Sequence, residues 1–144
     1  MIESDTIKQL RECDSGVKMC VSSIEYVIDY VHDKTFRKYL VNCKDEHQKI
    51  EDEIQILLDK YHDEGKNPNP VAKSMSWIKT NAKLVMNESD ETIADLITDG
   101  CNMGVKSLSK YLNQYKAADE KTKDITKRLI KIEENLTEDI RQFL

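Results

Sequence analysis

The chain has 144 residues, 39% hydrophobic and 34% charged, with four Gly, two Pro and a net charge of −5. That suits a single domain (residues 1–144) built from long amphipathic helices, and it is too apolar for a disordered chain. Lys and Arg alternate with Asp and Glu throughout, so no basic stripe follows a phosphate backbone, and no apolar run is long enough for a bilayer.

The first helix is predicted over about residues 4–31. Ile7, Leu10, Asp14, Val17, Val21, Ile24, Ile28 and Val31 recur at three- and four-residue steps, and Ser4 or Asp5 can cap the start. Asp33 caps a second helix over about 33–62, with Phe36, Leu40, Cys43, His47, Ile50, Ile54, Leu57 and Tyr61 on its seam. So short a junction makes the two helices antiparallel. Gly65 and Asn67-Pro68-Asn69-Pro70 end this hairpin, and a crossover helix is predicted over about 70–86, carrying the single tryptophan, Trp77.

A third long helix follows over about 90–115 through Ile93, Ile97, Gly100, Gly104, Leu108 and Tyr111. The fourth covers about 119–143, with Ile125, Leu129, Leu136, Ile140 and Phe143 inside. A crossover running the length of the bundle makes helices two and three parallel, which is the ferritin-like connection. The phrase Cys13-Asp14-Ser15-Gly16-Val17-Lys18 returns 88 residues later as Cys101-Asn102-Met103-Gly104-Val105-Lys106, which marks a duplicated hairpin. The expected fold is all-α: a ferritin-like four-helix bundle of two antiparallel hairpins joined by a crossover helix.

Polar residues interrupt the seams near mid-helix: Asp14, His47 and, on the fourth helix, Glu133. Buried without partners they would cost several kcal/mol each, so they must satisfy one another, a water or an ion. Asp14, His47 and Glu133, assisted by Glu46 or Asn102, form a candidate site for iron, manganese or zinc. The alternative is a hydrogen-bonded polar layer. The Glu-x-x-His pairs of di-iron bundles are missing, since Lys49 follows Glu46 and Leu136 follows Glu133 at that spacing. Cys20 and Cys43 sit at similar heights on adjacent helices and offer a thiol-based sensor. Otherwise the four cysteines are expected to be small core residues.

These stretches carry a family likeness: Leu10-x-x-x-Asp14-Ser15-Gly16, Glu46-His47-x-x-Ile50-x-x-Glu53-Ile54, Ser76-Trp77-Ile78-Lys79 and Asp99-Gly100. The chain resembles a rubrerythrin-related, ferritin-like family of bacterial proteins of uncharacterised function. The resemblance implies a ferritin-like bundle that pairs with a second copy as a homodimer. His47 stands where the family tends to have Arg, and Thr137-Glu138-Asp139 replaces a His expected before Ile140-Arg141.

The expected role is that of a non-catalytic bundle without a cofactor, a stress- or sporulation-associated structural or interaction protein. The competing expectation is a metal-binding protein with residual iron or redox activity through Asp14, His47 and Glu133. The acidic start Met1-Ile2-Glu3-Ser4-Asp5 has no signal-peptide core, which predicts a cytoplasmic protein with reduced thiols and neither nucleic acid nor membrane as partner.

Overall fold

The computed structural model describes residues 4–67 and 89–144. The described residues form four long helices, α1 (Asp5–Val27), α2 (Lys34–Lys60), α3 (Asp90–Gln114) and α4 (Glu120–Ile140). Short 3-10 turns at Ile28–Tyr30 and Arg141–Phe143 close α1 and α4. The all-α expectation therefore holds. The predicted crossover helix, with Trp77, lies outside the described residues.

Each helix begins on a side chain that accepts an otherwise orphaned first-turn amide. Ser4 takes Ile7 N, Asp33 takes Thr35 N and Phe36 N, Ser89 takes Thr92 N, and Asp119 takes Thr122 N. The periodicity carried helix one to Val31, but regular α-helix stops at Val27. The chain tightens there into a 3-10 turn that delivers His32 N and Asp33 N to the two carboxylate oxygens of Asp90, each at 2.8 Å.

That pair of bonds joins the junction of α1 and α2 to the start of α3. At the opposite end Ala117 N donates to Asp5 Oδ2 at 3.0 Å, Asp119 N to Thr6 Oγ1 at 2.9 Å, and Tyr61 OH to Asp119 Oδ2 at 3.3 Å. Hence α2 and α3 start at the same end, while α1 runs opposite to both. Neighbouring pairs are α1–α2, α3–α4, α2–α4 and α1–α3.

The seams pack into two apolar clusters. One holds Ile24, Val27, Phe36, Leu40, Ile93, Leu96, Leu136 and Ile140, with Phe36 stacked on Phe143 at 4.7 Å between centroids. The other holds Leu10, Val17, Ile50, Ile54, Leu58, Leu108, Ile125 and Leu129. Burying each large side chain contributes about 1.5–3 kcal/mol. The buried face of α1 is wider than its apolar seam, because Thr6, Gln9 and Cys13 also point inward. Gln9 Nε2 donates to Thr126 Oγ1 at 2.5 Å, and Cys13 Sγ lies 3.3 Å from the same hydroxyl. A count of apolar periods cannot see a polar pair bonded to each other across the core, even one that leaves Gln9 Oε1 without a partner among the described residues.

Asp14 is fully buried and serves as a staple. Its carboxylate accepts from Lys18 Nζ at 2.9 Å, Gln55 Nε2 at 3.1 Å and the backbone N of Lys66 at 2.9 Å. Burial opposes ionisation, but hydrogen bonds from Glu51, Lys18 and Lys66 outweigh it and hold the group below its ordinary value. Glu51 is the protonated partner, pushed up to about 8 by burial and then by its bond to Asp14. Arg11 clamps Asp63 through two bonds of 3.0 and 2.6 Å, so the segment after α2 is drawn onto α1.

Gly65 makes the staple possible. Its φ of +80° is in the left-handed region, and a Cβ there would collide with the Asp14 carboxylate. Gly65→Ala should therefore cost roughly 2–3 kcal/mol in urea unfolding. Gly16→Ala, where an added Cβ meets nothing within 4 Å in mid-helix, should instead stabilise by up to about 1 kcal/mol.

Candidate functional site

Between the two apolar clusters the seams of α2 and α4 each carry one polar residue. On α2, His47 falls between Cys43 and Ile50; on α4, Glu133 falls between Leu129 and Leu136. Both face inward because they keep the three- and four-residue spacing of their apolar neighbours. His47 is 1% exposed and Glu133 6%. Cys20 from α1 and Cys101 from α3 complete the layer, so all four helices contribute.

Donor atoms of Cys20, Cys43 and His47 lie within 4.8 Å of one another. His47 Nδ1–H donates to the carbonyl oxygen of Cys43, one turn back, at 2.8 Å. The same nitrogen is 3.5 Å from Cys43 Sγ and 3.9 Å from Cys20 Sγ. A backbone bond thus fixes the ring with its Nδ1 side toward two sulfurs.

This geometry divides the charges. The Cys20 S–H donated to it, and then the hydrogen bond and charge of His47, hold the Cys43 thiol below its usual range although burial pushes it up. Cys20 moves the other way, raised by that bond to Cys43 and by burial. Burial disfavours the His47 cation, but its bond to the Cys43 thiolate and the nearby Glu133 outweigh this and raise it. Together these shifts favour a Cys43 thiolate paired with a His47 imidazolium, with Cys20 as a thiol donor. Cys101 is raised by burial and then by Glu133, and stays a thiol.

Glu133 is pushed up to about 8, because burial outweighs the pull of His47. Its Oε2 finds no hydrogen-bond partner among the described residues. Gly104 is its neighbour on α3: a Cβ there would stand 2.6 Å from both carboxylate oxygens. The glycine of the repeated phrase therefore leaves the volume that the Glu133 carboxyl fills.

Of the four expected metal ligands, His47 and Glu133 reach the waist. Asp14 does not, since it is spent on Lys18, Gln55 and Lys66, about one cluster further down α1. Glu46 precedes His47 by one residue, roughly 100° around the helix, and is exposed. Asn102 is exposed for the same reason beside Cys101. Cys20 and Cys43, read from the sequence as a thiol pair at matching heights, come together with His47. Cys101 and the cradle at Gly104 were not singled out as site residues; the signal was the repeat itself, which places both on α3 opposite α4.

No family model matches the sequence, and no curated protein or solved structure matches it either. No helix among the described residues is long and apolar enough to cross a membrane.

A raised carboxyl favours the fold while it is protonated. Glu133 has its folded value near 8, above an unfolded value near 4.3. Its contribution is full below the unfolded value and is lost as pH rises through about 8. Glu133→Gln, which keeps the shape without the charge, should gain on the native protein by on the order of 2 kcal/mol between pH 5 and pH 9 in paired thermal melts. A constant difference would show that the Glu133 carboxyl is not raised above its unfolded value in the fold.

Proposed function

We propose that the protein is a ferritin-like helical bundle whose waist carries a thiol switch, with Cys20 and Cys43 as the dithiol and His47 as the base that holds one of them ionised. One observation carries this: both sulfurs and the His47 ring converge within 4.8 Å, with Nδ1 anchored to the Cys43 carbonyl. The helix directions, α2 and α3 starting at one end, support the ferritin-like connection. The role is structural rather than one of turnover, since a bond between the thiols would tie α1 to α2 in mid-bundle.

The chemistry follows from the charges. The Cys43 thiolate attacks a hydroperoxide; an S–O bond forms, the O–O bond breaks, and the departing oxygen takes a proton from the His47 imidazolium. The Cys20 thiol then attacks the sulfenic sulfur. An S–S bond of about 2.05 Å forms, the S–O bond breaks, and the Cys20 proton leaves with the hydroxyl as water. In sum, two thiols and one hydroperoxide give a disulfide, an alcohol and water.

Exposure of the native protein to a mild excess of hydroperoxide should remove two of the four thiols and link the peptides that contain Cys20 and Cys43. Cys20→Ser should stop at the sulfenic acid. His47→Gln should shift the alkylation profile of Cys43 to higher pH. Four unreactive thiols, or a cross-link between other cysteines, would defeat the proposal.

A second use of the same donors is metal binding. Two thiolates and an imidazole select zinc in preference to iron or manganese, with four ligands in a tetrahedron. Cys20, Cys43 and His47 would supply three of them, and His47 would do so through Nε2 or by giving up its bond to the Cys43 carbonyl. Elemental analysis of anaerobically purified protein decides this: zinc at one per chain that vanishes in His47→Ala with Cys43→Ser supports it. Pairing of two copies, the remaining implication of the family likeness, fails if light scattering at high concentration gives a monomeric mass.

A further inference from the structure

A cavity beside the thiol centre reaches only one of the two sulfurs of the switch. It measures about 410 Å³, within the range of small-molecule sites, and lies between α1 and α3. Cys20, His47 and Cys101 line it, whereas Cys43 does not. Cys20 is also partly exposed, while Cys43 is only 4% exposed. Gly16 and Gly100 line the walls, and a Cβ at either would meet nothing within 4 Å. The space in front of Cys20 therefore stays open.

Among the described lining residues no charge is left unmatched. The buried walls are mostly apolar, at Val17, Ile24, Leu96, Ile97, Leu129 and Leu136. Ser15, Ser23, Ser107 and Tyr111 add neutral hydroxyls, and none of these four is fully buried. Glu12 is paired with Lys66 Nζ at 2.7 Å, and burial opposes ionisation of Glu133. In the oxidised centre Cys43 carries no charge, so burial, which disfavours the His47 cation, loses its main opponent. A charged molecule entering this space would give up its hydration and gain no counter-ion.

We propose that the Cys20–Cys43 disulfide is reopened through this cavity by a small uncharged thiol, which attacks Cys20 and expels Cys43. The inference rests on the thiol switch proposed above. The entering thiolate forms an S–S bond to Cys20 Sγ; the Cys20–Cys43 bond breaks, and its electron pair leaves on Cys43. Cys43 is the sulfur whose thiolate is favoured and Cys20 the one whose ionisation is opposed. Access and leaving-group preference thus select the same direction of attack. A second molecule of the thiol then attacks the sulfur of the first, and Cys20 departs and takes up a proton. In sum, one protein disulfide and two small thiols give two protein thiols and one small disulfide.

Butane-1-thiol is the probe and 2-mercaptoethanesulfonate the charged comparison, each applied to the full chain oxidised with diamide. Each rate is divided by that thiol's rate on the same protein unfolded in urea, which removes intrinsic reactivity. On that scale butane-1-thiol should be faster by roughly ten-fold or more. Acid quenching early in the reaction, followed by peptide mapping, should find the butylthio group on Cys20 and a free thiol at Cys43. Gly100→Leu, which puts a side chain into the open space, should slow butane-1-thiol by roughly ten-fold in the folded protein and not in urea. The first two readouts use the unaltered chain and stand even if that variant folds poorly. Equal corrected rates, a butylthio group on Cys43, or Gly100→Leu reduced like the wild type would each overturn the proposal. A hydroperoxide that fails where diamide forms the disulfide defeats the oxidation step alone and leaves this test intact. If diamide also fails to link Cys20 to Cys43, both proposals fall.

Discussion

The waist of this bundle is governed by the cost of holding ionisable groups away from water. Four helices bring three cysteines, an imidazole and a carboxyl into one layer between apolar clusters. A full complement of charges there would be ruinous. The shifts favour instead one internal pair, Cys43 and His47, and oppose ionisation of Cys20, Cys101 and Glu133. The reactivity assigned to the centre is a by-product of that settlement. The geometry favours a thiolate at Cys43, because the His47 ring beside it is held in place by its bond to the Cys43 carbonyl.

The two halves of the repeat use the same phrase for different ends. In the first, the position after the cysteine is Asp14, which staples the segment behind α2 and needs Gly65 to do so. In the second it is Asn102, which is exposed, and Gly104 two residues further on makes room for Glu133. The repeated phrase sits on a helix of each hairpin. Divergence at single positions made one copy a brace and the other a socket.

Much of this was legible in the sequence because bundle helices advertise their buried face. The spacing of Phe36, Leu40, Cys43, His47, Ile50, Ile54 and Leu57 defines the inner side of α2, and His47 is conspicuous there because it is polar. The same logic exposes Glu133. Matching heights on adjacent helices put Cys20 and Cys43 together. Asp14 satisfied the same pattern yet has another role, since its partners include Gln55 and Lys66, which lie 41 and 52 residues away. Seam periodicity places a side chain on a face, but it cannot say which loop returns to meet it. Gln9 and Thr126 escaped for a related reason: each is polar, and only their union makes either at home in a core.

The bonds that tie the hairpins together sit at both extremities of the bundle. Asp90 holds two amides of the first hairpin at one end, and Asp5 and Thr6 hold two amides of the second at the other. Like two pins through opposite ends of a hinge plate, they admit a single alignment. Sliding one hairpin by a turn, about 5.4 Å, would break all four bonds at once. The correct mating of the halves is therefore written into the helix ends themselves, and it does not have to be imposed by the length of chain that connects them.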